Sequence, residues 1–533
     1  MTLNRCQLEK LKKNMHHKNT FLLGLLPLAA SLSGYASSAS QPNIIFFLVD
    51  DMGWQDTSVP FLQEQTPLNK RYHTPNMERL ARMGVRFTEA YACAVSSPSR
   101  CSLMSGMNAA RHRVTNWTLR YGQKTDAKSE VLTLPEWNYN GIQPDTVLCE
   151  LHTRNAMPVT TLPQILRENG YYTIHCGKAH FGAQTTPGAN PLTMGFDVNI
   201  GGDANGAPGS YLGTKCFGKG SAQEVKGMEK YYGQDMFLTE ALTQEAIEAM
   251  KKPIARKQPF YLYMSHYAVH SPYDEDQRFT GKYRGRSDEL LQDTLNENEV
   301  RYAAIVEGMD KSLGDLLDFL QLHPGTAANT IILFMSDNGG QALNNVRQGT
   351  ANRDQNFPAR AGKGSAFLGG VHEPMMVYWP GVTEGNTYND QRVMIEDFFP
   401  TVLDMAGIRQ YRTRQQLDGI SFAEVLKQPS AKRERPICWH FPNLWGETQD
   451  KSEGYGAYSA ILKGDYHLIY TWETGQIRLY NIKNDIGEQL DLAEKETAVT
   501  KALSAELADY LREVQAQRPV FKATGKVCPW PDE

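Results

Sequence analysis

A chain of 533 residues, 41% apolar and 10% aromatic, is long enough for two or more hydrophobic cores and has an ordinary globular composition. Its 55 basic and 59 acidic residues leave a net charge of −4, which removes nucleic acid and anionic membrane surfaces as expected partners. No internal repeat or low-complexity tract is present.

The first segment carries Lys10, Lys12, Lys13 and Lys18, then an apolar run from Phe21 to Ala30, then small residues from Ser33 to Ser40. That order is the layout of a secretory signal peptide, so residues 1–39 are read as a leader cleaved near Ala36 or Ala39. Met15 would give a shorter leader of the same design. The apolar run is too short for a lasting membrane span, and no cysteine follows it to carry a lipid. The mature chain is therefore expected to be exported, periplasmic or extracellular. Seven cysteines follow the leader, so at least one stays unpaired, and no C-x-x-C spacing suggests a zinc or redox motif. One or two disulfides would suit an oxidising compartment.

Asn43-Ile-Ile-Phe-Phe-Leu-Val49 predicts a strand buried on both faces of a parallel sheet, and it ends on Asp50-Asp51-Met52-Gly53. Ligands of open α/β sheets sit at such strand ends. Carboxylates there pair with cations, hold a hard metal ion, or simply form a polar strand exit. A helix is predicted from Thr74-Pro75, and Gly84–Thr88 leads in a strand toward Cys93-Ala-Val-Ser96-Ser97-Pro98-Ser99-Arg100. Ser97 and Pro98 predict a helix start, with the hydroxyl as cap and proline in the first turn. Ser96 then stands beside a helix N-terminus, whose free N–H groups and partial positive charge attract an anion next to Arg100. A site for an oxyanion ester is the first suggestion.

Further on, Thr161–Gly170 reads as a capped helix closed by glycine, and the strand Tyr171–Cys176 delivers Lys178 and His180. Phe260–Met264 is a strand that delivers His266 and His270. A long amphipathic helix over 297–322 sets Tyr302, Ile305, Met309 and Leu313 in a core and Asp310 on a polar face. Thr330–Met335 repeats the buried-strand pattern and ends in Ser336-Asp337-Asn338-Gly339. Two strands that each deliver a pair of oxygen ligands would make one cage, and an all-oxygen set of Asp50, Asp51, Asp337 and Asn338 favours Ca²⁺ or Mg²⁺ over zinc. A glycine-rich loop from Arg360 to Ser365 follows and carries Lys363, then Gly369-Gly370-Val371-His372-Glu373. Glu396–Gly407 is another helix. From about Arg433 the pattern shifts to strands over 457–462, 465–470 and 477–482 and a helix over 498–515. The expected layout is a catalytic domain over 40–432 and an α+β subdomain over 433–533.

The run Ser96-Ser97-Pro98-Ser99-Arg100 with Leu103-Met104-Ser105-Gly106 resembles the signature of the type I sulfatases, an alkaline phosphatase-like family. Both oxygen pairs, Gly177-Lys178-Ala179-His180-Phe181-Gly182, His270 and Lys363 match further motifs of that family, from about residue 42 almost to the end. Three positions depart from the family pattern: Ala179 and Phe181 replace Trp and Leu, and His372 stands where arginine is usual. The resemblance implies an α/β fold, with a large mixed, mostly parallel sheet sandwiched by helices and a smaller C-terminal antiparallel-sheet subdomain. It implies that Ser96 is oxidised to formylglycine by a maturation enzyme of the radical type, and that one Ca²⁺ is held by Asp50, Asp51, Ser96, Asp337 and Asn338. Arg100, Lys178 and Lys363 would offset charge on the sulfate, His270 would protonate the leaving group, and His180 would act as the base that releases sulfate.

The activity this resemblance implies is hydrolysis of sulfate monoesters, with glycosaminoglycan or mucin-type sugars as substrate. Three segments that mix aromatic and polar groups are candidate sugar contacts: residues 111–118 with Trp117, 201–211 with Asp203, and 439–445 with His440. A phosphonate or phosphate monoester hydrolase of the same fold is a sister reading. An exported binding protein for sulfated glycans, in which Ser96 stays a serine, is another.

Overall fold

Seven residues, Asn43–Val49, form the central strand β1 of the computed structural model, and every one of them is buried. The structure describes residues 41–533 except 146–152, 343, 346–349, 352–354, 447 and 449. The leader expected over 1–39 lies outside the described residues, as does Cys149. In chain order the principal elements after β1 are α1 (Pro75–Met83), β2 (Val85–Phe87), α2 (Ser96–Ser105), α3 (Leu162–Glu168), β3 (Tyr172–Gly177) and β4 (Val198–Ile200). There follow α4 (Leu238–Ala255), β5 (Phe260–Ser265), α5 (Glu297–Gln321), β6 (Thr330–Ser336), β7 (Met375–Tyr378), β8 (Thr387–Asn389) and α6 (Phe398–Met405). The C-terminal part contains β9 (Ile437–Phe441), β10 (Tyr458–Lys463), β11 (Tyr466–Thr471), β12 (Gln476–Asn481) and α7 (Thr497–Glu513).

Eight strands form one sheet in the order β8-β2-β7-β6-β1-β5-β3-β4. Only β7 runs against the rest, so the sheet is mixed and mostly parallel. Alternation along β1 divides the packing. Ile44, Phe46 and Leu48 enter the core formed with α2, α3 and α6, while Ile45, Phe47 and Val49 enter the core formed with α1, α4 and α5. Both faces are thus covered, which is why β1 and β6 read as continuous apolar runs.

The register positions the site. Val49 lies opposite Ser336, Leu48 opposite Ser265, and Gly177 opposite Ser265. The next residues on these strands, Asp50, Asp337, His266 and Lys178, therefore leave the sheet along one edge. Gly177 is required there: its φ is +100°, and a Cβ would stand 1.9 Å from the Ser265 carbonyl oxygen.

Two local expectations are corrected. Helix α2 begins at Ser96 with Val95 as its cap residue and no side-chain cap; the Ser97 hydroxyl instead accepts from Thr118 N at 3.1 Å, so Pro98 sits third in the helix. Asp310 of α5 is buried, because its carboxylate accepts from Asn76 N at 3.0 Å and Met77 N at 2.7 Å and so caps the start of α1. The segment 439–445, one of the candidate sugar contacts, begins inside strand β9.

Strands β9 to β12 form an antiparallel sheet in sequence order. Its inner face, with Ile437, Trp439, Phe441 and Ala460, joins the same core as α2 and α6. Its outer face, with Ile461, Leu468 and Leu479, packs on Leu503, Leu507 and Leu511 of α7. The change near residue 433 is thus one of secondary structure and not a gap in packing. Among the described residues Cys93, Cys101, Cys176, Cys216, Cys438 and Cys528 are free thiols, and no helix is long and apolar enough to cross a membrane.

Candidate active site

Ser96 is the first residue of α2, and its hydroxyl lies 3.2 Å from Asp50 Oδ1, 3.1 Å from Asn338 Oδ1 and 3.0 Å from Lys178 Nζ. One turn into the helix, Arg100 donates from Nε to Asp337 Oδ2 at 2.8 Å, and from Nη1 to Ser265 Oγ at 2.5 Å and the Lys178 carbonyl at 3.1 Å. Lys178 Nζ reaches both Asp50 oxygens, at 2.9 and 2.7 Å. Lys363 Nζ lies 2.6 Å from Asp51 Oδ1, which also accepts from Asn338 Nδ2 at 2.7 Å. All of these side chains are buried. Ends of four parallel strands, one helix start and one glycine-rich loop meet at this point.

Three carboxylates (Asp50, Asp51, Asp337) thus face three cations (Arg100, Lys178, Lys363). Burial pushes Asp50 up to about 7, opposed by Lys178 and reinforced by Asp337 and Asp51. Burial acts the same way on Asp51, yet the charges of Lys363 and Lys178 outweigh it and hold that carboxyl well below the usual range. Asp337 is also lowered, because Arg100 and Lys178 outweigh its burial. Lys178 falls to about 8, since burial outweighs the attraction of Asp50.

Asp50, Asp51 and Asp337 each offer an oxygen within 4.8 Å of the others. Asp51 Oδ2 is buried without a hydrogen-bond partner. An unpartnered carboxylate oxygen beside two further carboxylates is suited to ligate a metal ion. With Asn338 Oδ1 and the Ser96 oxygen at the same point, the donor set is all oxygen and fits a hard divalent cation such as Ca²⁺ or Mg²⁺.

A cavity opens onto Ser96, lined by Lys178, His180, His270, Lys363 and Trp117 among the expected residues. Gln341, Gln223, Ser271 and Trp445 also line it. No local pattern marks either glutamine, and Trp445 lay within a segment already singled out. His180 Nε2 is 2.7 Å from the Thr118 carbonyl, so the ring donates there and leaves Nδ1 bare, buried and without a partner. His270 Nδ1 donates in the same way to the Ser271 carbonyl at 2.6 Å, which leaves Nε2 bare, 3.5 Å from Asp51 Oδ2. Burial lowers the proton affinity of both rings, with Lys178 adding to it at His180 and Lys363 at His270.

His440 does not reach this cavity: it is buried in β9, with Nδ1 2.8 Å from Ser459 Oγ and Nε2 3.0 Å from the Gln517 carbonyl. That satisfied environment corrects the expectation of a substrate contact. Asp203 is half-buried and paired with Lys226 at 2.8 Å, and the cavity takes Gly206 and Ala207 from its loop instead. His372 lies away from the cavity, stacked on Trp54 and Tyr91, with Nε2 2.7 Å from the Thr88 carbonyl.

A mostly parallel sheet that gathers a buried oxygen cage, three cations and a hydroxyl at a helix start defines a hydrolase of oxyanion esters. The model of the Sulfatase family matches residues 42–408, and that of the N-sulphoglucosamine sulphohydrolase C-terminal region matches 366–517. The chain is 29% identical over 546 residues to a sulfatase of Formosa agariphila, covering 92% of each. It is 30% identical over 417 residues to the N-acetylgalactosamine-6-sulfatase of Homo sapiens, covering 76% of this chain and 69% of that one. Among solved structures, Ps i-CgsB in complex with k-i-k-neocarrahexaose superposes with a TM-score of 0.64 at 25% identity, over 88% of this chain and 93% of that one. The chain belongs to the type I sulfatase family, and its reaction class is sulfuric ester hydrolysis.

Proposed function

We propose that this enzyme removes sulfate from carbohydrate, using a formylglycine made from Ser96 and one bound Ca²⁺. The observation that carries this reading is the meeting of Ser96 Oγ with Asp50, Asn338 and Lys178, all within 3.2 Å, at an uncapped helix start. Oxidation of the Ser96 CH₂OH to an aldehyde removes two protons and two electrons, which a dedicated maturation enzyme would take up. The hydrated aldehyde supplies a geminal diol, one hydroxyl of which attacks sulfur while the other later expels sulfate. Held by Asp50, Asp51, Asp337, Asn338 and residue 96, a divalent cation supplies charge neutralisation at the sulfate oxygens.

The side chains divide the remaining work. Lys178 and Lys363 hold positive charge beside Ser96, and Arg100 locks Asp337 and the Lys178 carbonyl in place. Such preorganised cations are usually the largest catalytic contribution. His180, with a bare Nδ1, is in the state of a base able to take the proton of the second hydroxyl. His270 is neutral in the free enzyme; an incoming sulfate raises its proton affinity, so the ring takes a proton from solvent at Nε2 as substrate binds and delivers it to the leaving alkoxide. Trp117 and Trp445 offer flat apolar faces and Gln341 and Ser271 polar groups, a lining suited to a sugar ring. A sugar substrate is supported by the relatives named N-acetylgalactosamine-6-sulfatase and by the neocarrahexaose held in Ps i-CgsB. Periplasmic or extracellular action follows from the leader read in residues 1–39.

Mass spectrometry of the Ser96 peptide from the native host tests this directly. A loss of about two mass units is expected, together with aryl sulfate turnover that disappears in Ser96→Ala. An intact serine in active protein would end the formylglycine mechanism.

A further inference from the structure

The loop that carries Lys363 is not held by the strands of the catalytic sheet alone. Lys363 N donates to the Gly340 carbonyl at 3.0 Å and Gly364 N to the Ala94 carbonyl at 2.8 Å, so the loop spans the segments after Asn338 and before Ser96. Its two flanks are tied elsewhere. The Arg360 guanidinium donates to the Glu488 carbonyl at 3.0 Å, the Ser452 carbonyl at 2.8 Å and Glu453 Oε1 at 3.0 Å. Ser365 Oγ donates to the Glu453 carbonyl at 2.7 Å, and Tyr458 OH to the Ser365 carbonyl at 3.2 Å. On the far side, Leu368 N donates to Glu488 Oε2 at 2.6 Å. One residue, Glu488, therefore grips both ends, by its backbone oxygen before Lys363 and by its carboxylate after it.

Glu488 is fully buried and held at φ +50°, an uncommon conformation for a non-glycine residue. Its second carboxylate oxygen lies 2.7 Å from Nδ1 of His467 in β11, which is also fully buried. A buried carboxylate must be matched on every side to be tolerated. Here the matching partners are the loop and the C-terminal sheet, so the carboxylate ties the two together.

We infer that Glu488, braced by His467, is a positioning residue for Lys363 and makes the C-terminal sheet part of the anion clamp. This rests on reading Lys363 as a contact to the sulfate. Misplacement of a binding group by about 1 Å costs up to about a hundredfold. Glu488→Ala should therefore weaken binding of inorganic sulfate, measured by calorimetry on the full chain, by about tenfold or more. In protein carrying the matured residue, it should raise KM for an aryl sulfate more than it lowers kcat. Glu488→Gln keeps an acceptor for Leu368 N and should recover most of the loss. Leu507→Ala, which removes packing between α7 and the outer face of the C-terminal sheet, serves as the stability control and should leave sulfate affinity unchanged at a similar loss of Tm.

The double variant decides the route. If Glu488 acts through Lys363, then Glu488→Ala adds little to Lys363→Ala, because coupled residues are not additive. Additive losses, or an equal shift in Leu507→Ala, would overturn the positioning role. Unchanged sulfate affinity in Lys363→Ala would instead remove the sulfate contact itself, and the inference with it. A shift in Lys363→Ala without one in Glu488→Ala would overturn the clasp alone.

Discussion

Most of the side chains at the centre carry charge matched by an opposite charge nearby, but Glu373 does not. It is fully buried, and neither carboxyl oxygen has a good hydrogen-bond partner. Burial raises its pKa well above 4.5, and the charges of Asp337 and Asp51 raise it further. The native state then keeps a proton that the unfolded chain gives up above pH 4.5, so this residue makes stability fall as pH rises. Glu373→Gln removes that dependence. The variant should match the wild type near pH 4.5 and gain on it as pH rises above that, read from Tm between pH 5 and 8. Equal Tm differences at both ends of that range would mean that Glu373 does not bind a proton on folding. The sequence could not announce this residue. Its neighbours Gly370 and His372 are local text, whereas its isolation comes from Asp337 and Asp51, which are far away in the chain.

Among the elements, legibility followed from burial. Strands β1 and β6 are covered on both faces, so their runs of Ile, Leu and Phe announced them and the oxygen pairs at their ends. Strand β9 was not legible as a strand: Ile437-Cys-Trp-His-Phe441 alternates between two apolar cores, and the Pro442 that follows makes it read as loop. Asp310 looked like a solvent-facing charge because its partners, the free N–H groups of α1, belong to another helix. Gln341 and Gln223 reach the cavity on loops whose composition resembles any surface. The closest tolerance is between β3 and β5. Gly177→Ala adds a Cβ 1.9 Å from the Ser265 carbonyl oxygen at φ +100°. Backbone strain alone costs about 1–3 kcal/mol, and relief of the clash would shift Lys178, the next residue. Both Tm and kcat/KM should fall; a variant with full activity would mean that the strand ends adjust without moving the lysine.

For the whole molecule, the oxygen cage joins two distant stretches of the chain, Asp50-Asp51 and Asp337-Asn338, so an ion bound there would close the fold across 287 positions. Ligand binding to the native state alone stabilises it by about 2.7 kcal/mol at a free concentration of 100 times Kd. Chelation with EDTA should lower Tm at a fixed scan rate, and Ca²⁺ should restore it; a Tm indifferent to both would remove the cation from the account. The C-terminal sheet bears on the same assembly, since its inner face completes the core beneath α2 and its loops hold Lys363.

Ser96 is 2% exposed in the finished fold, enclosed by partners drawn from three other segments of the chain. If Ser96 is converted as proposed, the modifying enzyme must take the side chain into its own active site before α2 docks against the sheet. The opportunity to make the aldehyde therefore lasts only as long as the chain stays open. Delayed folding, for instance by a chaperone that keeps the chain extended, would lengthen that interval. A variant that folds faster would yield a sound structure with an unconverted serine, so the share of active molecules becomes a record of the order in which chemistry and folding took place.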